Sequence, residues 1–129
     1  MARSIYKGSL ITLSLLPGCD AVASEWDRDV DNKKLLQAFA AADAQLTGPT
    51  SRFTKERGEK VKTVPGGSLW EFKGPPRGRI INRALVYIPC GWNMYIAFAG
   101  KKKSQKLPDH WIQVATDRVK DARNRGDLQ

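Results

Sequence analysis

At 129 residues and 14.4 kDa the chain is long enough for one domain with a single core, and 41% apolar with 27% charged residues describes a folded protein rather than a disordered tail. No apolar run approaches the roughly 18–20 residues of a membrane-spanning helix; Cys19 and Cys90 are too few for a disulfide framework, and one histidine, His110, excludes a zinc site or a two-histidine ribonuclease mechanism. The net charge of +9 is unevenly spread: residues 73–108 hold eight cations (Lys73, Arg77, Arg79, Arg83, Lys101, Lys102, Lys103 and Lys106) and no Asp or Glu.

Along the chain, Ile11, Leu13 and Leu15 alternate with Thr12 and Ser14, the period-2 pattern of a strand with one face on a core. The same region has a rival reading. Arg3 and Lys7, the apolar run 10–16 and Pro17-Gly18-Cys19 also have the layout of a bacterial lipoprotein signal, which would make this an envelope protein. The strand is preferred because the apolar run is short for a signal and Pro17 is unusual beside a cleavage point.

Asp20 is placed to cap a helix. From Val22 to about Thr47 the spacing of Val22, Trp26, Val30, Leu35, Leu36, Phe39 and Ala40 is helical. The Asp27–Asn32 cluster breaks this stretch into a helical hairpin, which Gly48-Pro49 ends. Residues 50–66 are polar and basic, a loop or irregular edge strand anchored by Val61 and Val64. Three strands follow, Ser68 to Lys73, Ile80 to Ile88 and Trp92 to Ala99, joined by the turn sequences Gly74-Pro75-Pro76 and Pro89-Cys90-Gly91. Such short connections imply an antiparallel meander. After the lysine run, Pro108-Asp109 opens a last helix, with Trp111, Ile112, Ala115, Val119 and Ala122 on one stripe and Gly126 beyond its end. Residues 1–129 therefore read as one α+β domain: N-terminal strand, helical hairpin, curved antiparallel sheet, C-terminal helix.

On that scaffold the cations converge. Lys73 closes the first meander strand and Arg77 and Arg79 lie in the next turn. Arg83 sits four residues after Arg79, on the same face if both are in a strand. Lys101, Lys102 and Lys103 leave the third strand beside the end of the first. Together they are expected to form a concave basic pocket, which attracts polyphosphates. Trp70, Trp92 and Tyr95 are available for base stacking, although core packing accounts for most of them. Arg83 has a plainer role open to it, pairing with Glu71.

The segments Leu69-Trp70-Glu71-Phe72-Lys73, Arg83-Ala84-Leu85-Val86-Tyr87 and Phe98 to Pro108, with the helix from His110 to Asp121, resemble the RelE/HigB toxin superfamily, nearest to its HigB-type, phage-derived branch. The likeness covers residues 66–124, about half of the chain. Phe98 stands where that branch usually has His, and Leu107 replaces a helix-capping Thr, leaving Asp109 to cap. The resemblance implies a microbial-RNase-like fold and endonucleolytic cleavage of mRNA in the ribosomal A site. It also implies a cytoplasmic protein neutralised by an antitoxin, usually of helix-turn-helix type.

It further implies that Lys73, Arg83, Lys102 and Lys103 are the catalytic group, with Arg83 clamping the phosphate. Arg77, Arg79, Lys101, Lys106 and Trp70 would bind RNA around them, and Tyr87 is core. Such cleavage needs a base for the 2′-hydroxyl, cations for the phosphorane and an acid for the 5′-oxygen, with no metal or cofactor. A lysine crowded by other cations can act as the base, and His110 is a candidate acid. The alternative function is a non-catalytic RNA- or ribosome-binding module; the third is the envelope protein.

Overall fold

The computed structural model describes residues 3–8, 10–17, 19, 30–44, 54, 57–74, 76, 78–89, 91–102 and 106–128. Six strands and two helices follow one another along them: β1 (Arg3–Lys7), β2 (Thr12–Leu15), α1 (Val30–Ala44), β3 (Glu59–Val64), β4 (Gly67–Lys73), β5 (Ile81–Ile88), β6 (Asn93–Lys102) and α2 (Asp109–Asn124). The strands form one sheet in the order β1-β2-β6-β5-β4-β3. Asp20, the first arm of the helical hairpin at 22–29 and the stop at Gly48-Pro49 lie outside the described residues.

The α+β class holds, but the sheet is mixed. The expected meander is present as β4-β5-β6, antiparallel throughout. It is extended at one edge by β3 and at the other by β2, which runs parallel to β6 with Leu13 opposite Met94. A strand absent from the sequence reading, β1, pairs back on β2 as an antiparallel hairpin. That pairing explains how the Ile11–Leu15 segment is used. Ile11, Leu13 and Leu15 are all fully buried, as expected of a strand with neighbours on both sides. No helix among the described residues is long and apolar enough to cross a membrane.

The helices cover opposite faces of the sheet, so the expected single core is two. Leu35, Phe39 and Ala42 of α1, spaced at i, i+4 and i+7, meet Ile11, Leu13, Phe72, Ala84, Val86 and Ile96 on one face. Ala115, Val119 and Ala122 of α2 meet Leu69, Leu85, Tyr87 and Tyr95 on the other. Strand β5, covered on both faces, has the near-continuous apolar run that this position requires. The edge strand β3 instead exposes Glu59, Lys60 and Lys62, which discourages pairing with another chain.

Two details fix how α2 sits. β6 carries a bulge: Leu85 opposes Phe98 and Val86 opposes Ile96, so Ala97 has no direct partner on β5. Arg118 of α2 donates to the Ala97 carbonyl at 2.9 Å and lies 5.6 Å from the Phe98 ring centroid. Nearer the start of α2, Trp111 rests over Gly100, where an added Cβ would come within 2.7 Å of the indole. Pro108, rather than Asp109, occupies the N-cap, with no side-chain capping bond. Asp109 is the first helical residue and supports the helix through the dipole instead.

Candidate nucleic-acid interface

The register of the meander puts Lys73, Arg83 and Gly100 in one row across β4, β5 and β6. Lys101 and Lys102 follow on β6, opposite Asn82 and Ile81. One end of the sheet therefore gathers cations of three strands, but among the described side chains Lys73, Arg83 and Lys101 do not share one pocket.

Arg83 takes the plainer of the two roles open to it, the pairing with Glu71. Side chains alternate along a strand, so Arg83 shares the α2 face with Leu85 and Tyr87, and Glu71 shares it with Leu69. The guanidinium is 1% exposed and its Nη1 donates to Glu71 Oε2 at 3.0 Å. Buried and already neutralised, it does not offer itself to a phosphate. Its work is to hold the Glu71 carboxylate, which is itself 5% exposed. Lys73 completes the group from outside, with Nζ 3.8 Å from Glu71 Oε1 and a side chain 40% exposed.

The surroundings of Lys73 follow from a mismatch in strand length. β3 pairs with β4 only as far as Glu59 opposite Glu71, so Phe72 and Lys73 have no β3 partner and the sheet edge is notched there. Just before β3, the Gly58 amide donates to the Thr54 carbonyl at 2.9 Å, a turn that brings Arg57 to the notch. Gly58 must lie close to the sheet, since a Cβ there would be 2.9 Å from the Phe72 ring. Arg57, Gly58, Glu59, Glu71 and Lys73 line the resulting cleft, about 220 Å³. Two carboxylates border it. Among the described residues, the cleft sets Lys73 beside these two carboxylates and one further cation, Arg57.

The remaining candidates are dispersed. Arg79 is exposed in the turn before β5, so strand alternation does not align it with Arg83. Lys101 and Lys106 are exposed, and Lys101, next after the Gly100 that faces Trp111, falls on the α1 face of β6. Trp70 is half-buried on the α1 face, away from Glu71 and Arg83. Trp92 is half-buried on that same face, and Tyr95 is buried against α2. Tyr87 is core, with its hydroxyl donating to the Pro65 carbonyl at 3.2 Å. His110 is exposed in the first turn of α2, edge-on to Trp111 with ring centroids 6.4 Å apart. Of Lys102 only the backbone is described, and Arg77 and Lys103 lie outside the described residues.

Sequence reasoning missed Arg57, which stands in a stretch too polar and too poor in pattern to suggest any fixed position. It undervalued Glu71. The alternation Leu69-Glu71-Lys73 already put that carboxylate on the face of Arg83, and this was the available signal. Among the described residues no group of acidic, histidine and cysteine side chains could hold a metal ion. Comparison of the chain with protein-family models, with curated proteins and with solved structures finds no match.

Proposed function

We propose that this protein is a toxin-type endoribonuclease that cleaves mRNA on the ribosome, with the notch at Arg57, Glu71 and Lys73 as its reactive end. The observation that carries the reading is a carboxylate fixed beside an exposed lysine in an open cleft, at the end of the sheet where the 73–108 cations collect. The resemblance of residues 66–124 to the RelE/HigB superfamily supports the same assignment.

In that role Arg57 and Lys73 draw the scissile phosphate into the cleft and stabilise charge on the phosphorane. The Glu71 carboxylate, aimed by Arg83, takes the 2′-hydroxyl proton. The 2′-oxygen then bonds to phosphorus as the P–O5′ bond breaks, and the 5′-oxygen leaves with a proton from the Lys73 ammonium. The products are a 2′,3′-cyclic phosphate and a 5′-hydroxyl. Arg79, Lys101 and Lys106 bind flanking phosphates. The cell tolerates such an enzyme in its cytoplasm through an antitoxin, of helix-turn-helix type on the family pattern.

The seal around Arg83 favours a second reading, a non-catalytic RNA- or ribosome-binding module, since two cations already compensate Glu71. Primer extension on mRNA with and without ribosomes, with end-group analysis of the fragments, separates the two. Cleavage ending in 2′,3′-cyclic phosphate, lost in Glu71→Gln and Lys73→Ala, is expected. Salt-sensitive RNA binding without cleavage leaves only the binding module.

A further inference from the structure

On the α2 face a groove of about 360 Å³ opens between Val64 and Pro65 at the end of β3 and Thr116, Val119, Lys120 and Arg123 of α2. Pro65 precedes β4 and Lys73 ends it, so the length of β4, roughly 20 Å, separates groove from notch. Val64 and Val119 are buried and form the floor, whereas Pro65, Lys120 and Arg123 are exposed at the rim. Thr116, Lys120 and Arg123, spaced i, i+4 and i+7, lie along the flank of α2, beside the Ala115, Val119 and Ala122 stripe that packs on the sheet. Val64 and Arg123 stand at the far ends of β3 and α2 from Arg57 and Lys106, where the chain comes in from undescribed residues.

The Arg123 guanidinium is held in place. Its Nη1 donates to the Pro65 carbonyl and lies 3.5 Å from the Tyr87 hydroxyl, which donates to the same carbonyl at 3.2 Å. Gly66, at φ +82°, carries the turn so close that a Cβ there would overlap the guanidinium. Those acceptors are neutral. Among the described residues neither Arg123 nor Lys120 belongs to an ion pair. Asp117, near Lys120 on α2, receives Gln113 Nε2 at 2.9 Å and does not line the groove.

We propose that this groove docks an acidic segment of a partner protein, with an aliphatic side chain on Val64 and Val119 and a neighbouring carboxylate on Arg123 and Lys120. The inference does not depend on the RNA reading of the notch. A guanidinium presents its donors as a rigid fork, and only Nη1 is engaged within the chain, so the remainder suits a carboxylate. An apolar floor rimmed by charge marks an interaction surface. Its volume, at the lower end of the roughly 300–1,000 Å³ of ligand pockets, fits an anchoring side chain of the kind that dominates small interfaces. The described lining has no aromatic ring on which a nucleic-acid base could stack. A second copy is disfavoured because two chains of net charge +9 repel each other.

Fluorescence anisotropy of the full chain with the labelled peptide Glu-Asp-Leu-Leu-Glu-Asp tests the assignment. The controls Gln-Asn-Leu-Leu-Gln-Asn and Glu-Asp-Ser-Ser-Glu-Asp keep only its apolar or only its acidic part. The first peptide should bind roughly tenfold or more tightly than either control, the scale of one buried side chain or one charge-assisted contact. Lys120→Glu should weaken it roughly tenfold, whereas Lys60→Glu, the same charge change at the start of β3, should leave it within about twofold. Arg123→Lys keeps the charge without the fork and should weaken binding about threefold. In the unaltered protein the peptide should shift the methyl resonances of Val64 and Val119, a readout that requires no variant to fold. Absent binding, equal binding of a control, equal loss in Lys60→Glu and Lys120→Glu, or unmoved methyl resonances overturns the groove. So does a uridine oligonucleotide that shifts the same methyls at lower concentration, which would assign the groove to RNA. A dimer in sedimentation that Lys120→Glu disperses would assign it to a second copy and overturns the proposal equally.

Discussion

Among the described residues two carboxylates are withdrawn from water, Asp43 on α1 and Glu71 on β4, each 5% exposed, and their described partners differ in kind. The donors described at Asp43 carry no charge: the Tyr6 hydroxyl at 2.9 Å and the backbone amides of Leu10 and Ile11 at 3.0 and 2.9 Å. Glu71 faces cations, Arg83 at 3.0 Å and Lys73 at 3.8 Å. The first arrangement ties the β1–β2 turn to the helix that covers the sheet and is a brace. The second has one member in solvent, beside an open cleft, and can exchange that partner for a ligand. Burial alone does not separate these two carboxylates; the charge and exposure of their described donors do.

Removing each carboxylate should expose the difference. Asp43→Ala strands two amides and a hydroxyl, and charge-assisted hydrogen bonds of this kind are worth about 1.5–3 kcal/mol each without being additive, so a loss of about 4 kcal/mol in urea denaturation is expected. Asp43→Asn, which keeps one acceptor oxygen, should lose about half of that. A loss under about 1 kcal/mol for the alanine variant would remove the brace from the argument. Glu71→Gln removes the Glu71 charge from beside the buried Arg83 guanidinium, at a cost of about 3 kcal/mol. Here, unlike at Asp43, the loss should be recoverable. The double variant Glu71→Leu with Arg83→Met replaces the pair by apolar groups of similar bulk and should return to within about 1 kcal/mol of the original stability; on the proposed function it should show no cleavage of RNA.

The same contrast shows which features the sequence could reveal. The meander was legible because β4, β5 and β6 carry strand patterns separated by Pro/Gly turns, and α2 because its apolar stripe is regular. The Ile11–Leu15 strand was legible from alternation. Its partner β1 was not: Arg3-Ser4-Ile5-Tyr6-Lys7 has few apolar residues, and the Asp43 contact that secures its turn comes from 32–37 residues away. The parallel seam between β2 and β6 likewise has no local signature. At the candidate site, the collection of cations at one end of the sheet was legible from strand order. Their division between interior, notch and opposite face was not, because it depends on where β3 stops and on which side chains α2 covers.

A smaller effect sharpens the account of the brace. Burial, then the hydrogen bond to Asp43 and its negative charge, raise the Tyr6 pKa above its ordinary value near 10. The neutral phenol is therefore the form the fold favours. Its contribution is complete below pH 10 and disappears as the pH rises through the folded-state value. Tyr6→Phe should cost about 1 kcal/mol at pH 7, and the gap between the two proteins should close in denaturation measured at pH 11. A gap of equal size at both pH values would mean that the hydroxyl is not what Asp43 holds.

The smallest change in stability belongs to Lys73, and it should have the largest functional consequence. Its ion pair with Glu71 is long and solvent-exposed on the lysine side, and such pairs contribute at most about 1 kcal/mol. Glu71 keeps Arg83 when Lys73 is removed, so Lys73→Ala should unfold within about 1 kcal/mol of the original protein. If the ammonium meets a phosphate, the same substitution should lower the slope of log affinity against log salt by about 0.7 for single-stranded RNA, measured by fluorescence anisotropy at several ionic strengths. The parallel change at Arg83 cannot be read this way, because disturbing the buried guanidinium alters folding and binding together. A Lys73→Ala protein with unchanged stability and an unchanged salt slope would place Lys73 with the braces, alongside Tyr6, and would leave Arg57 as the cation to test next at the notch.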